Sequence, residues 1–168
     1  MSNQNSALTP SFLKCSQCGL GKLCLPLGLD SNDMVELENI IEASSPFKDD
    51  QTVYRADQSF DRIFAVKSGM FKTVVTDANG NEHIIGFHLP GELFGLDAIY
   101  PKKYISTAIS LGTSSVCGIN YNDLESLAGK LPSLQRQLFS LMSKEVHTSQ
   151  ALTVEHAGDQ KLAGFILA

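Results

Sequence analysis

Apolar and polar positions change rhythm along the chain, and each rhythm predicts a different kind of element. Over residues 30–43, Met34, Leu37, Ile40 and Ile41 recur at helical spacing behind the capping oxygens of Asp30 and Ser31, which predicts a helix. From Pro46 to about Tyr121 the pattern shortens into strand-like runs. Val53-Tyr54, Ile63–Val66, Phe71–Val75 and His83–Phe87 are the clearest, and a stretch rich in β-branched residues follows from Thr107 to Ile119. Ser68-Gly69, Asn79-Gly80 and Pro90-Gly91 punctuate these runs, and Asn-Gly is a strong hairpin signal. Many short strands at near-regular spacing predict an antiparallel roll or barrel.

From Pro132 the helical period returns and holds to about Ala157, now with two stripes. Leu134, Leu138, Leu141 and Leu152 share a face that suits packing on the chain's own roll. Gln135, Phe139, Met142, Val146, Ser149 and Thr153 advance alternately by four and three, the seam rhythm of a two-stranded coiled coil. The plainer interpretation is one wide core-facing stripe. Two stripes instead favour a helix that buries one face at home and offers the other to a second copy, so a homodimer is expected. Near Gly158 the pattern breaks, and Asp159 opens a further amphipathic segment.

Composition narrows the class. The chain has 168 residues, 43% of them apolar, enough for a proper core. Its formal charge of -5 argues against a broad basic face gripping nucleic acid. No run reaches the roughly 18–20 apolar residues that span a membrane. The polar start, Met1-Ser2-Asn3-Gln4-Asn5, lacks a basic-then-apolar export signal, so a cytoplasmic, reducing location is expected. Residues 1–14 read as a loose polar leader.

In that setting the cysteines stand out. Cys15, Cys18 and Cys24 fall in a C-x2-C-x5-C run among Gly19, Gly21, Pro26 and Gly28, and Cys117 lies far downstream in a strand-like segment. Three clustered thiols and one remote thiol suggest a four-thiolate site that ties an N-terminal arm to the body of the domain. Thiolates are soft ligands, and four of them suit an iron–sulfur cluster or zinc. Reducing compartments favour metal binding over disulfides. Free or disulfide cysteines are the bland alternative, and Cys117 alone is readable as a small core residue. Lys14 and Lys22 are placed to offset negative charge at such a site, and Leu20, Leu23 and Leu25 to shield it.

The C-x2-C-x5-C run followed by Pro26, the segment Gly86-Phe87-His88-Leu89-Pro90-Gly91-Glu92-Leu93, the segment Leu96-Asp97-Ala98-Ile99, Val116-Cys117, and the long helix after Leu131-Pro132 together carry a resemblance. Over nearly its whole length the chain resembles the oxygen-sensing fumarate and nitrate reduction regulators (FNR/Anr), a branch of the cyclic-AMP receptor protein superfamily. The resemblance implies a mixed β and α fold. Its parts are a cyclic-nucleotide-binding-type antiparallel β-roll, jelly-roll-like, an N-terminal cysteine arm and a long C-terminal dimerisation helix. It implies a [4Fe-4S] cluster on Cys15, Cys18, Cys24 and Cys117 whose conversion by oxygen weakens the dimer and turns off DNA binding. The expected division is 1–28 cluster arm, 29–130 sensory roll, 131–157 dimerisation helix and 158–168 the start of a truncated DNA-binding domain. DNA and RNA polymerase are then partners of the full-length protein, the latter through loops such as Asp77–Glu82 and Pro90–Tyr100. These 168 residues alone are not expected to bind an operator specifically.

Two other functions compete. Cyclic-AMP receptors hold ribose and phosphate through a Gly-Glu pair and an Arg-Ser pair. Gly91-Glu92 is present, but Ile105-Ser106 stands at the second pair, and without arginine the bidentate grip on phosphate is lost. No tight cyclic-nucleotide binding is expected, and a nucleotide-binding module with a structural four-cysteine zinc site is the alternative function. His83, His88 and Glu92 invite comparison with a metal-dependent β-roll enzyme. Their spacing does not fit a metal pair, strand parity sets the two histidines on opposite faces unless a bulge intervenes, and no convincing nucleophile–histidine–acid set is found. Enzymatic activity is not expected.

Overall fold

The computed structural model describes the backbone of residues 8–9 and 15–166 and the side chains of 15–150. Its strands are β1 (Leu8–Thr9), β2 (Ile41–Ser44), β3 (Thr52–Tyr54), β4 (Arg62–Thr76), β5 (Glu82–His88), β6 (Leu93–Phe94) and β7 (Thr107–Asn120). Its helices are α1 (Ser31–Glu38), α2 (Tyr121–Lys130) and α3 (Pro132–Ile166). The strands form one antiparallel sheet in the order β1-β2-β7-β4-β5, with β3 also on β7 and β6 also on β4. The expected mixed β-roll with a long C-terminal helix is what the chain adopts.

The uninterrupted run Ile63-Phe64-Ala65-Val66 shows how the core is divided. Successive side chains on a strand point to opposite faces. Ile63 and Ala65 join Leu37, Ile119, Leu124 and Leu134 in a cluster between sheet and helices. Phe64 and Val66 join Tyr54, Phe94, Tyr104 and Val116 in a second, aromatic cluster inside the roll. There Tyr54 and Tyr104 stack at 3.9 Å, and Phe94 stacks on Phe64 and Phe71 at 5.4 Å each. Because both faces of this half of β4 are buried, its sequence shows no polar alternation.

Several local expectations change. The first helix starts as expected, with Asp30 Oδ1 accepting the N–H groups of Asn32 and Asp33 at 2.9 Å. It ends at Glu38 rather than near 43, and Ile41 pairs with Ile119 as the first residue of β2. Two consecutive β-branched residues fit a pleated, half-buried surface better than a helix end. Leu8–Thr9 is not part of a loose leader but pairs with Ala43 and Ser44. Tyr121–Lys130, not expected as a helix, is capped by Asn120 and buries Leu124, Leu127 and Ala128 at helical spacing. The backbone stays helical through Gly158 to Ile166. One glycine costs a helix only about 1 kcal/mol, and Ala, Gln, Lys and Leu around it are strong helix formers.

Ser68-Gly69 is not a turn between strands. β4 runs straight through it, and the register against β7 shifts on both sides of Ser68. Gly69 absorbs the bulge with φ 75°. A Cβ there would lie 2.1 Å from Ser114 Oγ and 2.8 Å from Ser114 Cα, and Ser114 is buried. Gly69→Ala is expected to destabilise the fold by roughly 2–5 kcal/mol, adding left-handed strain to overpacking. Urea unfolding measures this, and an unchanged midpoint would contradict it.

Candidate cysteine site

Residues 15–27 advance by tight turns. Cys18 N–H donates to Cys15 O at 3.0 Å, Gly21 N–H to Cys18 O at 3.2 Å, Cys24 N–H to Leu20 O at 3.1 Å and Leu27 N–H to Cys24 O at 3.2 Å. Cys15–Gln17 is a 3-10 turn, in which positions three apart eclipse, so the x2 spacing sets Cys15 and Cys18 on one side. Leu25 is fully buried beside Leu37 and Leu134 and anchors the loop to the helical core.

Cys117 comes from the other direction. It lies on β7 between Ala43 of β2 and Ala65 of β4, so both cross-strand neighbours are as small as a side chain allows. All four cysteines line one cavity with Leu20, Leu25, Pro26, Ile41, Ala65, Lys67 and Ile119. The four residues singled out by spacing are thus brought together. All four are free thiols. Among the described residues, no group of three or more His, Cys, Asp or Glu side chains is arranged to hold a single metal ion.

Burial in the cavity favours the protonated thiol at Cys15, Cys24 and Cys117. Burial, reinforced by Cys117, Cys24, Glu38 and Cys18, pushes Cys15 up to about 12. Burial, with Cys24 and Cys18, pushes Cys117 up to about 11 against the opposing pull of Lys67. Burial also raises Cys24, tempered by the Leu25 N–H. A metal must therefore displace protons, so loading strengthens as pH rises.

The expected shield and counter-charges differ. Leu20 and Leu25 face the cavity, but Leu23 is exposed and packs near Gly91. Lys22 is exposed and not in the lining, and Lys14 lies outside the described residues. Lys67 supplies the positive charge instead. Its place follows from the pairing of Ala65 with Cys117, a register that no local sequence pattern reveals.

Over the described side chains, the early part of α3 separates buried from exposed apolar residues. Leu134 is buried, and Leu138 and Leu141 pack against the same core cluster as Leu25. Phe139, Met142 and Val146 are 63%, 39% and 56% exposed and follow one another at seam spacing. Gln135 and Ser149 are exposed too, while the side chains of Leu152 and Thr153 lie outside the described residues.

The histidines of the roll have separate partners. His83 Nε2 lies 2.9 Å from Asp77 Oδ2, within the β4–β5 hairpin. His88 Nε2 lies 3.2 Å from Thr73 Oγ1, and its ring stacks on Phe94. Burial depresses His88 below the usual histidine range, opposed by Glu92. A depressed folded value means the unfolded chain takes up the proton first. His88 therefore contributes stability that is full above about pH 6.5 and is lost as pH falls from there through its folded value. His88→Gln is expected to flatten that decline, measured as urea midpoints at several pH values; parallel curves for both proteins would contradict it. At the positions compared with the receptors' nucleotide contacts, Glu92 Oε2 accepts the Leu89 N–H at 3.0 Å, and Ile105 is 49% exposed.

A roll of this topology with a trailing helix defines a cyclic nucleotide-binding domain, and the model of that family matches residues 45–130. Among solved structures, the sensor domain of the transcriptional regulator DNR from Pseudomonas aeruginosa superposes with a TM-score of 0.65 at 17% identity, covering 77% of this chain and 87% of that one. The Thermus thermophilus catabolite activator protein gives a TM-score of 0.66 at 17% identity, covering 79% and 62%. In sequence, the chain is 34% identical to the regulatory protein HlyX of Actinobacillus pleuropneumoniae, over 97% of this chain and 69% of that protein. It is 40% identical to the transcriptional activator protein anr of Pseudomonas aeruginosa, over 91% and 64%. The chain belongs to the FNR/Anr family of transcription regulators, whose members are not enzymes. It spans about two thirds of the length of these relatives. Among the described residues, no helix is long and apolar enough to cross a membrane.

Proposed function

We propose that Cys15, Cys18, Cys24 and Cys117 hold a [4Fe-4S] cluster, and that its presence strengthens a homodimer formed through Gln135, Phe139, Met142, Val146, Ser149 and Thr153 of α3. The observation that carries this is the convergence of a three-cysteine loop and one strand cysteine on a single apolar cavity. When bound, the cluster supplies an oxygen-sensitive tie between loop and sheet. Leu20 and Leu25 limit solvent at that tie, Lys67 offsets its negative charge, and Ala43 and Ala65 leave it room.

A structural zinc on the same four cysteines is the alternative. One tetrahedral zinc draws four sulfurs to about 2.3 Å from a single point. A cluster instead spreads its thiolates over separate metal corners, and iron and sulfide content distinguishes the two. Such a tie makes the protein a redox-responsive regulator that is active when oxygen is scarce. "Anaerobic regulatory protein", the name of a Haemophilus influenzae relative 36% identical over 92% of this chain, supports the same reading. Cyclic nucleotide is not part of the proposal, because Ile105 offers no charge to a phosphate. DNA and RNA polymerase contacts are proposed for the protein at the length of its relatives, and a cytoplasmic location with them.

The test is an anaerobic absorption spectrum with iron and sulfide analysis, repeated after exposure to air. A broad visible band that bleaches in air, with about four irons per chain, is the expected result. A colourless protein carrying one zinc would overturn the sensing mechanism.

A further inference from the structure

Sensing of this kind requires the cysteine loop and the long helix to be joined, and hydrogen bonds along one edge of α3 join them. Gln137 Nε2 donates to the carbonyl oxygen of Cys24 at 3.4 Å, across 113 residues of sequence. One turn earlier, Ser133 Oγ donates to Asp33 Oδ2 of α1 at 2.7 Å. From the far end of α1, Glu38 Oε1 accepts both the N–H of Ser16, at 2.9 Å, and its hydroxyl, at 3.1 Å. The loop is thus held near both ends by groups that trace back to α3, directly at Cys24 and through α1 beside Cys15.

The angular placement gives these bonds a consequence. Ser133 and Gln137, four apart, share an edge of the helix. Phe139 and Val146 lie about 200° and 180° around the axis from Gln137, on the exposed stripe. The helix therefore grips the cysteine loop on one side and presents its apolar seam on the other. Any roll or shift of α3 that improves the seam is transmitted to Cys24 and α1.

We propose that Gln137 and the Ser133–Asp33 pair are positioning residues through which α3 sets the placement of the cysteine loop, so that seam formation and thiol geometry are linked. This rests on the cluster-and-dimer reading above. Linkage is reciprocal: whatever factor the loaded site adds to dimerisation, dimerisation adds to retention of the loaded site.

The test uses this chain with Gln137→Leu and Ser133→Ala, singly and together, and Ser133→Thr as the variant that keeps the hydroxyl. The first readout is the ratio of dimer constants, loaded over cluster-free, by sedimentation. The wild type is expected to show a ratio of about fivefold or more. The double variant still takes up iron anaerobically, but its ratio falls toward one, and Ser133→Thr keeps most of the wild-type value. A double variant with the full ratio overturns the proposal. The second readout needs no cluster: in the cluster-free chain, Gln137→Leu is expected to raise the iodoacetamide labelling rate of Cys24 about fivefold relative to Cys117. An unchanged rate ratio overturns the positioning role. A wild type that loads and dimerises without any linkage overturns the underlying reading, and that outcome is separable because the labelling ratio still reports positioning by itself.

Discussion

Cys117→Ala is expected to abolish the visible band of anaerobically loaded protein and to reduce iron from about four per chain to below about one. The residue stands on β7 with alanine on either side, so removing its sulfur disturbs little packing. The cluster-free variant should lose only about 1 kcal/mol of stability, the cost of a small truncation at a half-buried position. That contrast separates a ligand from a core residue. If Cys117 merely fills space, the variant keeps its iron and its colour. Iron analysis and a urea titration on the same preparation decide between the two.

Val146→Glu is expected to weaken dimerisation of the loaded chain by two or more orders of magnitude while leaving the monomer folded. At 56% exposure the side chain contributes little to its own subunit, so the change in folding stability should stay within about 0.5 kcal/mol. In a two-fold seam the same position meets its copy, and two carboxylates then face each other between Met142 and Ser149 of both helices. Like charges juxtaposed in an interface cost several kcal/mol. Anaerobic sedimentation as an undiminished dimer would place the interface elsewhere on the molecule.

What was legible in the sequence was what spacing writes locally. The C-x2-C spacing of Cys15 and Cys18, the cap at Asp30, the Asn79-Gly80 hairpin and the two stripes of α3 are each encoded within a few residues. Cys117 stood out as a fourth, remote thiol, and the family resemblance favoured it as a ligand over a small core residue. Features set by pairing between distant segments were not. Ser68-Gly69 looks like a turn until β7 is laid beside it, and only then does the glycine become a bulge with Ser114 in its way. Lys67 looks like a solvated charge until Ala65 is paired with Cys117. Ile41 obeys the helical period and still belongs to a strand, because its partner Ile119 offers burial that a continued helix would not. Tyr121–Lys130 carries few large apolar residues, and its helix is drawn out by contact with the core and by α3.

The three partners of β7 bear on the order in which the site comes apart. β7 is bonded to β2, β3 and β4 at once, so its amides exchange with solvent only when the sheet as a whole opens. The cysteine loop is held by short turn bonds and a few side-chain contacts, and it opens locally at far lower cost. Deuterium should enter residues 18–24 orders of magnitude faster than residues 116–119. Disassembly then begins at the loop, while the strand thiol keeps its place and waits for the loop to return. In the proposed site, one fixed thiol and three movable ones would let the cluster be rebuilt without refolding the domain.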